Sequence, residues 1–186
     1  MHKIQYILIL FLLSLMHGGV AHAQWVQTNG PYGGTIISFA VSGTNLFAGT
    51  HGGGVFLSTN NGTSWSAVNT GMTSTYVNAL AVSGTNLFAG APGDGVLLST
   101  NNGTSWTEVN TGLTNREVFA LAVSGTNLLA GTSGGVFLST NNGTSWTATG
   151  LTNRRVLALA VSGTNLFAGT EDAGVWRRPV VVRDDH

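Results

Sequence analysis

The string Ala-Val-Ser-Gly-Thr-Asn occurs four times in this chain, starting at Ala40, Ala81, Ala122 and Ala160. A second string, Ser-Thr-Asn-Asn-Gly-Thr-Ser-Trp, occurs three times, at Ser58–Trp65, Ser99–Trp106 and Ser139–Trp146. Successive copies of the first string lie 41, 41 and 38 residues apart. The shorter third interval has a visible origin: one residue is missing from the loop before Val136 and two from the segment after Trp146. A period of this length means that each unit is one supersecondary piece, which buries its apolar face only by stacking on its neighbours.

Each unit holds four short apolar runs. In the second unit they are Val77–Val82, Leu87–Gly90, Val96–Ser99 and Ser105–Val109, here strands a, b, c and d. Ser-Gly-Thr-Asn joins a to b, a glycine-rich stretch joins b to c, and Asn-Asn-Gly joins c to d. Glycine and asparagine provide the positive φ angles that such turns require. No apolar run continues far enough without glycine to make a helix. About 40 residues and four strands per unit is the size of a propeller blade. A β-solenoid is the alternative, although its coils need fewer residues.

The ends of the chain bear on closure. Gln24-Trp25-Val26-Gln27-Thr28-Asn29-Gly30 resembles strand d, as in Trp106–Gly112, whereas the fourth unit stops after strand c at Val175-Trp176. The order is therefore d, then abcd three times, then abc. The expectation is an all-β, four-bladed β-propeller, residues 24–186, closed by pairing of the N-terminal strand with the last blade. Trp25 would then lie on its outer strand. Closure of this kind leaves no exposed sheet edge.

Residues 1–23 have the order of a secretory signal peptide: a weakly positive start at Lys3, an apolar run from Ile7 to Met16, and a small-x-small site at Ala21-His22-Ala23. The run is short for a bilayer span, which takes roughly 20 residues. The expected product is exported, periplasmic or extracellular, with no transmembrane segment after leader removal. It contains no cysteine, so packing and topology hold the fold. From Gln24 onward there are six arginines, no lysine and seven acids, a balance that gives nucleic-acid binding no electrostatic support.

The Ser-Thr-Asn-Asn-Gly-Thr-Ser-Trp segments resemble the Asp box of BNR-repeat propellers, a family that includes sialidases and many non-catalytic exported proteins. The wider pattern is similar to exported repeat proteins of Bacteroidetes-type bacteria, whose relatives often carry more blades. The likeness spans nearly all of the chain after residue 23. It departs from the family at one point: the aspartate position is held by Asn60, Asn101 and Asn141. Asparagine still makes the hydrogen bonds of an Asx turn but carries no charge. The resemblance implies a structural box. Ser58, Ser99 and Ser139 open it, and Gly62, Gly103 and Gly143 allow the tight turn. Trp65, Trp106 and Trp146 bury apolar area between sheets.

Sialidases of this architecture set three arginines around a substrate carboxylate, with a Tyr/Glu pair and an aspartate. Arg116, Arg154, Arg155, Arg177, Arg178 and Arg183 are available here, with Tyr32, Tyr76, Glu108 and Glu117. The arginines cluster late in the chain, and none stands in the Arg-Ile-Pro context of a sialidase N-terminus. The remaining acids, among them Asp94, Glu171 and Asp172, form no evident catalytic pair. Only His51 and His186 lie beyond residue 23, so neither a metal site nor a cofactor is expected. No serine stands in a nucleophile elbow.

The a–b and c–d turns lie at one end of an up-and-down blade and are repeated without change. The d–a and b–c connections lie at the other end, and there the units differ. That end carries Tyr76, Arg116, Glu117, Arg154 and Arg155 before the innermost strands, and His51 and Asp94 in b–c loops. A constant end suits structure and a varied end suits recognition. Two functions follow. One is a non-enzymatic module that binds a glycan, peptide or protein at the varied end. The other is a structural or assembly unit, half of an eight-bladed homodimer or a shortened relative of a propeller of about six to eight blades. A glycoside hydrolase-like enzyme is a distant third.

Overall fold

The computed structural model describes residues 24–180; the expected leader lies outside them. Fifteen strands form four antiparallel sheets, and the described residues contain no helix. The first sheet contains β1 (Thr35–Ser42), β2 (Asn45–His51), β3 (Val55–Ser58) and β4 (Ser66–Ala67). The second contains β5 (Ala79–Ser83), β6 (Asn86–Ala91), β7 (Gly95–Ser99) and β8 (Thr107–Glu108). The third contains β9 (Val118–Ser124), β10 (Asn127–Thr132), β11 (Gly135–Ser139) and β12 (Thr147–Thr152). Among the described residues the fourth contains only β13 (Val156–Ser162), β14 (Asn165–Thr170) and β15 (Val175–Pro179). Strands pair in sequence order within each sheet, and successive inner strands pack side by side. The fold is a four-bladed β-propeller.

Every Ser-Gly-Thr-Asn segment makes a two-residue turn, pairing Ser42 with Asn45, Ser83 with Asn86, Ser124 with Asn127 and Ser162 with Asn165. The c–d turns share one wiring of their serine and asparagine side chains. In the second blade Ser99 Oγ donates to Asn101 Oδ1 at 2.9 Å and accepts from Gly103 N at 2.8 Å, while Asn101 Oδ1 also accepts from Ser105 N at 3.0 Å. Asn61, Asn102 and Asn142 take φ of 54–56° just before the turn glycine, a conformation that asparagine tolerates and branched residues do not.

Three apolar clusters make the core, one in each seam between consecutive blades. Phe47 and Val55 of the first blade meet Leu80, Leu87, Ala89, Leu97 and Trp106. The next seam repeats this with Phe88, Val96, Leu128, Ala130, Phe137 and Trp146. In both, the turn tryptophan reaches back: Trp106 Nε1 donates to the Val68 carbonyl and Trp146 Nε1 to the Val109 carbonyl, each at 2.7 Å. The third seam holds Leu129, Val136, Val156, Leu166 and Ala168, with no tryptophan among its buried residues.

The expected closing pair is not formed. Among the described residues Gln24–Asn29 is not a strand, β15 pairs only with β14, and Trp25 is fully exposed. Phe39 is 57% exposed where its counterpart Leu80 is 8%, and Val175 is 74% exposed where its counterpart Val96 is 0%. The physical reason is the seams. The first two are filled from inner strand to tryptophan, which fixes the step between those blades, and the three steps together do not pack β13 on β1. Trp65 follows from the same geometry: it is half-buried against Phe39, with ring centroids 6.4 Å apart, and its buried Nε1 has no partner.

Candidate functional site

The strand order puts the d–a and b–c connections at one end of the propeller. The bulges there mark the innermost turn of each blade. Pairing slips at Ile37, Phe119 and Leu157, so in the first, third and fourth blades one residue leaves the ladder just below the mouth; Asn78 stands at the matching position of the second blade.

His51 and Tyr76 meet across the first seam. They form an isolated bridge, their rings lie 5.3 Å apart at 58°, and Tyr76 keeps 53% of its surface exposed. His51 Nε2 lies 2.7 Å from Asn78 Oδ1, and Asn78 Nδ2 donates to the Val118 carbonyl at 2.8 Å. This chain of contacts ties three blades together. The backbone supports it, with Val77 N donating to the Thr50 carbonyl at 2.8 Å and Gly52 N to Thr75 at 2.9 Å.

The arginines are held by acids. Arg116 Nη1 pairs with Glu108 at 2.8 Å, Arg155 Nη1 with Glu171 at 2.9 Å and Arg154 Nη1 with Asp172 at 3.8 Å. Arg155 also lies over the ring of Phe119, 4.5 Å from its centroid, so that an aromatic of the third blade and a cation of the fourth share one position at the mouth. Glu117 is exposed, its backbone N bonded to Asn115 Oδ1 at 3.1 Å and its carbonyl to Ser133 N at 3.2 Å. The Glu117–Arg155 pair that their chain positions invite is not made.

Asp94 points inward. Its carboxylate accepts from the Thr73 hydroxyl and from the backbone N of Thr73 and Ser74, both at 2.9 Å. Burial raises its pKa, but the Thr73 hydroxyl, the two amides and the charge of Arg116 outweigh that and hold the group below the usual carboxylate range. Asp94 therefore fastens the d–a connection to the b–c loop.

Four residues at this end escaped the sequence pattern. Asn69 accepts from Val55 N at 2.7 Å and donates to the Gly53 carbonyl at 2.8 Å. Asn110 does the same with Val96 N at 2.8 Å and the Asp94 carbonyl at 2.6 Å. Their recurrence in Val-Asn-Thr-Gly was a usable signal. Asn78 and Phe119 had none, because the four blades carry four different residues, Ile37, Asn78, Phe119 and Leu157, at that position.

Among the described residues no group of histidine, cysteine and acidic side chains is placed to hold a metal ion, and no helix is long and apolar enough to cross a membrane.

No family model matches the sequence, and no curated protein does. Solved structures do match, and they are β-propeller proteins. The computationally designed protein Ika4 aligns over 85% of this chain and 98% of its own, at 15% identity and a TM-score of 0.65. The extracellular domain of a hybrid two-component system protein from B. thetaiotaomicron aligns over 83% of this chain and 22% of its own, at 16% identity and a TM-score of 0.71. An ancestral GH74 enzyme aligns over 84% of this chain and 24% of its own, at 23% identity and a TM-score of 0.65. The chain thus spans about a quarter of the last two. At these identities the likeness shows the fold.

Proposed function

We propose that this chain is a non-enzymatic, exported binding module that takes a glycan, peptide or protein ligand at the mouth bearing Tyr76 and Arg155. The observation that carries this reading is the contrast between the two ends. At the constant end the serine and asparagine side chains of each c–d turn are committed to the turn itself. At the varied end an exposed aromatic pair, Tyr76 with His51, and a cation on an aromatic face, Arg155 with Phe119, come from different blades. Aromatic faces beside guanidinium groups suit sugar rings and anionic groups.

A non-catalytic role is supported by what the acids do. Of the five among the described residues, Glu108, Glu171 and Asp172 face arginines and Asp94 is spent on its loop. Glycoside hydrolysis needs two carboxyls facing one bond. The B. thetaiotaomicron neighbour, an extracellular domain, is consistent with export.

The test starts from a glycan and peptide array probed with the chain. Each hit is then titrated against Tyr76→Ala, Arg155→Ala and, at the constant end, Thr126→Ala. Loss of affinity by about tenfold or more in the first two, with Thr126→Ala unchanged, is the expected result. Equal affinity in all three removes the ligand face from this mouth.

A further inference from the structure

The first two seams are closed by a tryptophan and the third is not. In its place lies a cavity of about 320 Å³, lined by Val136, Thr149, Leu166, Ala168, Trp176 and Arg178 among others. These residues match, position for position, the ones that surround Trp106. Val136 stands for Val55, Thr149 for Val68, Leu166 for Leu87, Ala168 for Ala89 and Trp176 for Leu97. The acceptor is present too. The Thr149 carbonyl corresponds to the Val68 carbonyl that takes the Trp106 indole, and here it accepts from Arg178 Nη1 at 2.6 Å instead. The cavity is a vacant tryptophan seat.

The tryptophan that fits it by register is Trp25. In the strand-d pattern Trp25 stands for Trp65 and Trp106, and Thr28, three residues on, for Val68 and Val109; the structure bears out the second match. A Cβ on Gly103 would meet Val68 Cγ2 at 3.0 Å, one on Gly143 would meet Val109 Cγ2 at 2.8 Å, and one on Gly62 would meet Thr28 Cγ2 at 3.3 Å. Gln24–Asn29 thus lies on the first blade where a preceding blade's outer strand belongs. The blade that should own that strand is the fourth. Among the described residues its outer strand β15 has a free edge and its seat is empty, and it makes no extended packing with the first blade.

The geometry points to a second copy of this chain as the partner that brings the two together. The fourth blade of one copy packs on the first blade of the other. Gln24–Asn29 of each adds to β15 of its neighbour, and Trp25 of each fills the neighbour's seat. The contact is made twice around a two-fold axis, giving a ring of eight blades with no free edge. Three features of the single chain then acquire a cause. Phe39 and Val41 on one end face and Phe167 and Val175 on the other hold seam positions and would cover each other. The Trp65 indole would find the Thr28 carbonyl, as Trp106 finds Val68. The Arg178 guanidinium would leave the Thr149 carbonyl to an indole.

Closure within one chain would satisfy the same local contacts. It would also require β13 to pack on β1, which it does not do with the Trp106 and Trp146 seams filled and bonded as they are. A second copy leaves these seams as they are.

The experiment separates the two. The chain has no cysteine, so a single engineered pair reports unambiguously. By the register of Thr107 with Leu98, Val26 would stand opposite Arg177. The Val26→Cys, Arg177→Cys double variant, expressed in full in an exporting bacterial host and oxidised, is run without reductant under denaturing conditions. A species of twice the chain mass that reductant splits supports the proposal. A species of single mass with its thiols lost shows that the chain closes on itself and overturns it, as do free thiols at single mass. Native mass spectrometry of the unaltered chain gives the independent reading. It should show a dimer, and Trp25→Ala should raise the dissociation constant by about 30-fold or more. A monomer at micromolar concentration overturns the proposal without any variant. Ligand affinity at the Tyr76 mouth is a separate readout.

Discussion

Trp106 donates its indole N–H to the carbonyl of Val68, 38 residues earlier and one blade back, at 2.7 Å. The same residue's backbone N donates to the Thr70 carbonyl at 2.9 Å, so one side chain and its own amide clamp a seam at two points. Trp146 repeats both bonds with Val109 and Thr111. Trp65 makes no such side-chain bond.

Truncating these tryptophans should therefore give unequal losses. Trp106→Ala removes a ring that is 4% exposed and leaves a cavity, with an expected cost of about 3–5 kcal/mol. Trp65→Ala removes a half-buried ring with an unbonded N–H and should cost about 1–2 kcal/mol. Urea melts of the two variants against the parent measure both. Equal losses would mean that the seams do not differ as described.

In the c–d turn the two kinds of bond can be separated chemically. Asn101 accepts through Oδ1 from Ser99 Oγ and Ser105 N, and donates through Nδ2 to Ser105 Oγ at 2.9 Å. Asn101→Ala abolishes all three and should cost about 1–2 kcal/mol. Asn101→Asp keeps the acceptor and lets the Ser105 hydroxyl reverse its role as donor, so at neutral pH it should lie within about 0.5 kcal/mol of the parent. Melting curves at pH 7 rank the three proteins.

The repeat made the blades legible because every strand and turn recurs with the same neighbours. Ala-Val-Ser-Gly-Thr-Asn locates strand a, its turn and strand b at each occurrence, and the paired registers differ little from the sequence pattern. Closure was less legible. Trp25–Asn29 has the residues of strand d, but strand d contributes only two paired residues in β4 and β8, too few to dictate where the segment binds. The step between blades depends on how side chains from two distant units fill a seam, which no local pattern records. At the varied mouth, Tyr76 and Arg155 stood out as departures from the repeat. Their partners His51 and Phe119 depend on packing across blades. Asp94 looked like a surface acid because its donors, Thr73 and Ser74, lie 21 and 20 residues earlier in a different connection. The loss of two residues after Trp146 has a structural consequence that the sequence did not announce: β12 runs for six residues where β8 has two.

Asp94 should make stability depend on acid. Its pKa is lowered in the folded protein, so the charged form is favoured by folding. That contribution is present above the unfolded value of about 3.9 and is lost as the pH falls through the lower folded value. Asp94→Asn keeps the shape but weakens charge-assisted bonds, at a cost of about 1 kcal/mol at pH 7. The gap between parent and variant should hold from pH 7 to about 5 and narrow below about 4. Denaturant midpoints across that range test it; a gap that widens in acid would contradict the assignment.

The turn glycines discriminate conformational strain from steric contact. Gly125 has φ of 59° and a Cβ there would meet nothing within 4 Å, so Gly125→Ala carries only the left-handed penalty of about 1 kcal/mol. Gly143 has φ of 82°, and its new Cβ would press on Val109 Cγ2 at 2.8 Å in the second seam, beside Phe88 at 3.7 Å. Overpacking adds about 1–3 kcal/mol there, because Val109 is held by the Trp146 indole N–H that its carbonyl accepts. Gly62 has nearly the same φ, 81°, but meets Thr28 on a segment paired with no strand, at the looser distance of 3.3 Å. Gly62→Ala should therefore fall near Gly125→Ala in the isolated chain and well short of Gly143→Ala. The ordering is measured by thermal melts at low protein concentration. At high concentration, where a neighbour would pin Thr28 into a strand, the cost of Gly62→Ala should grow toward that of Gly143→Ala, and that of Gly125→Ala should stay the same.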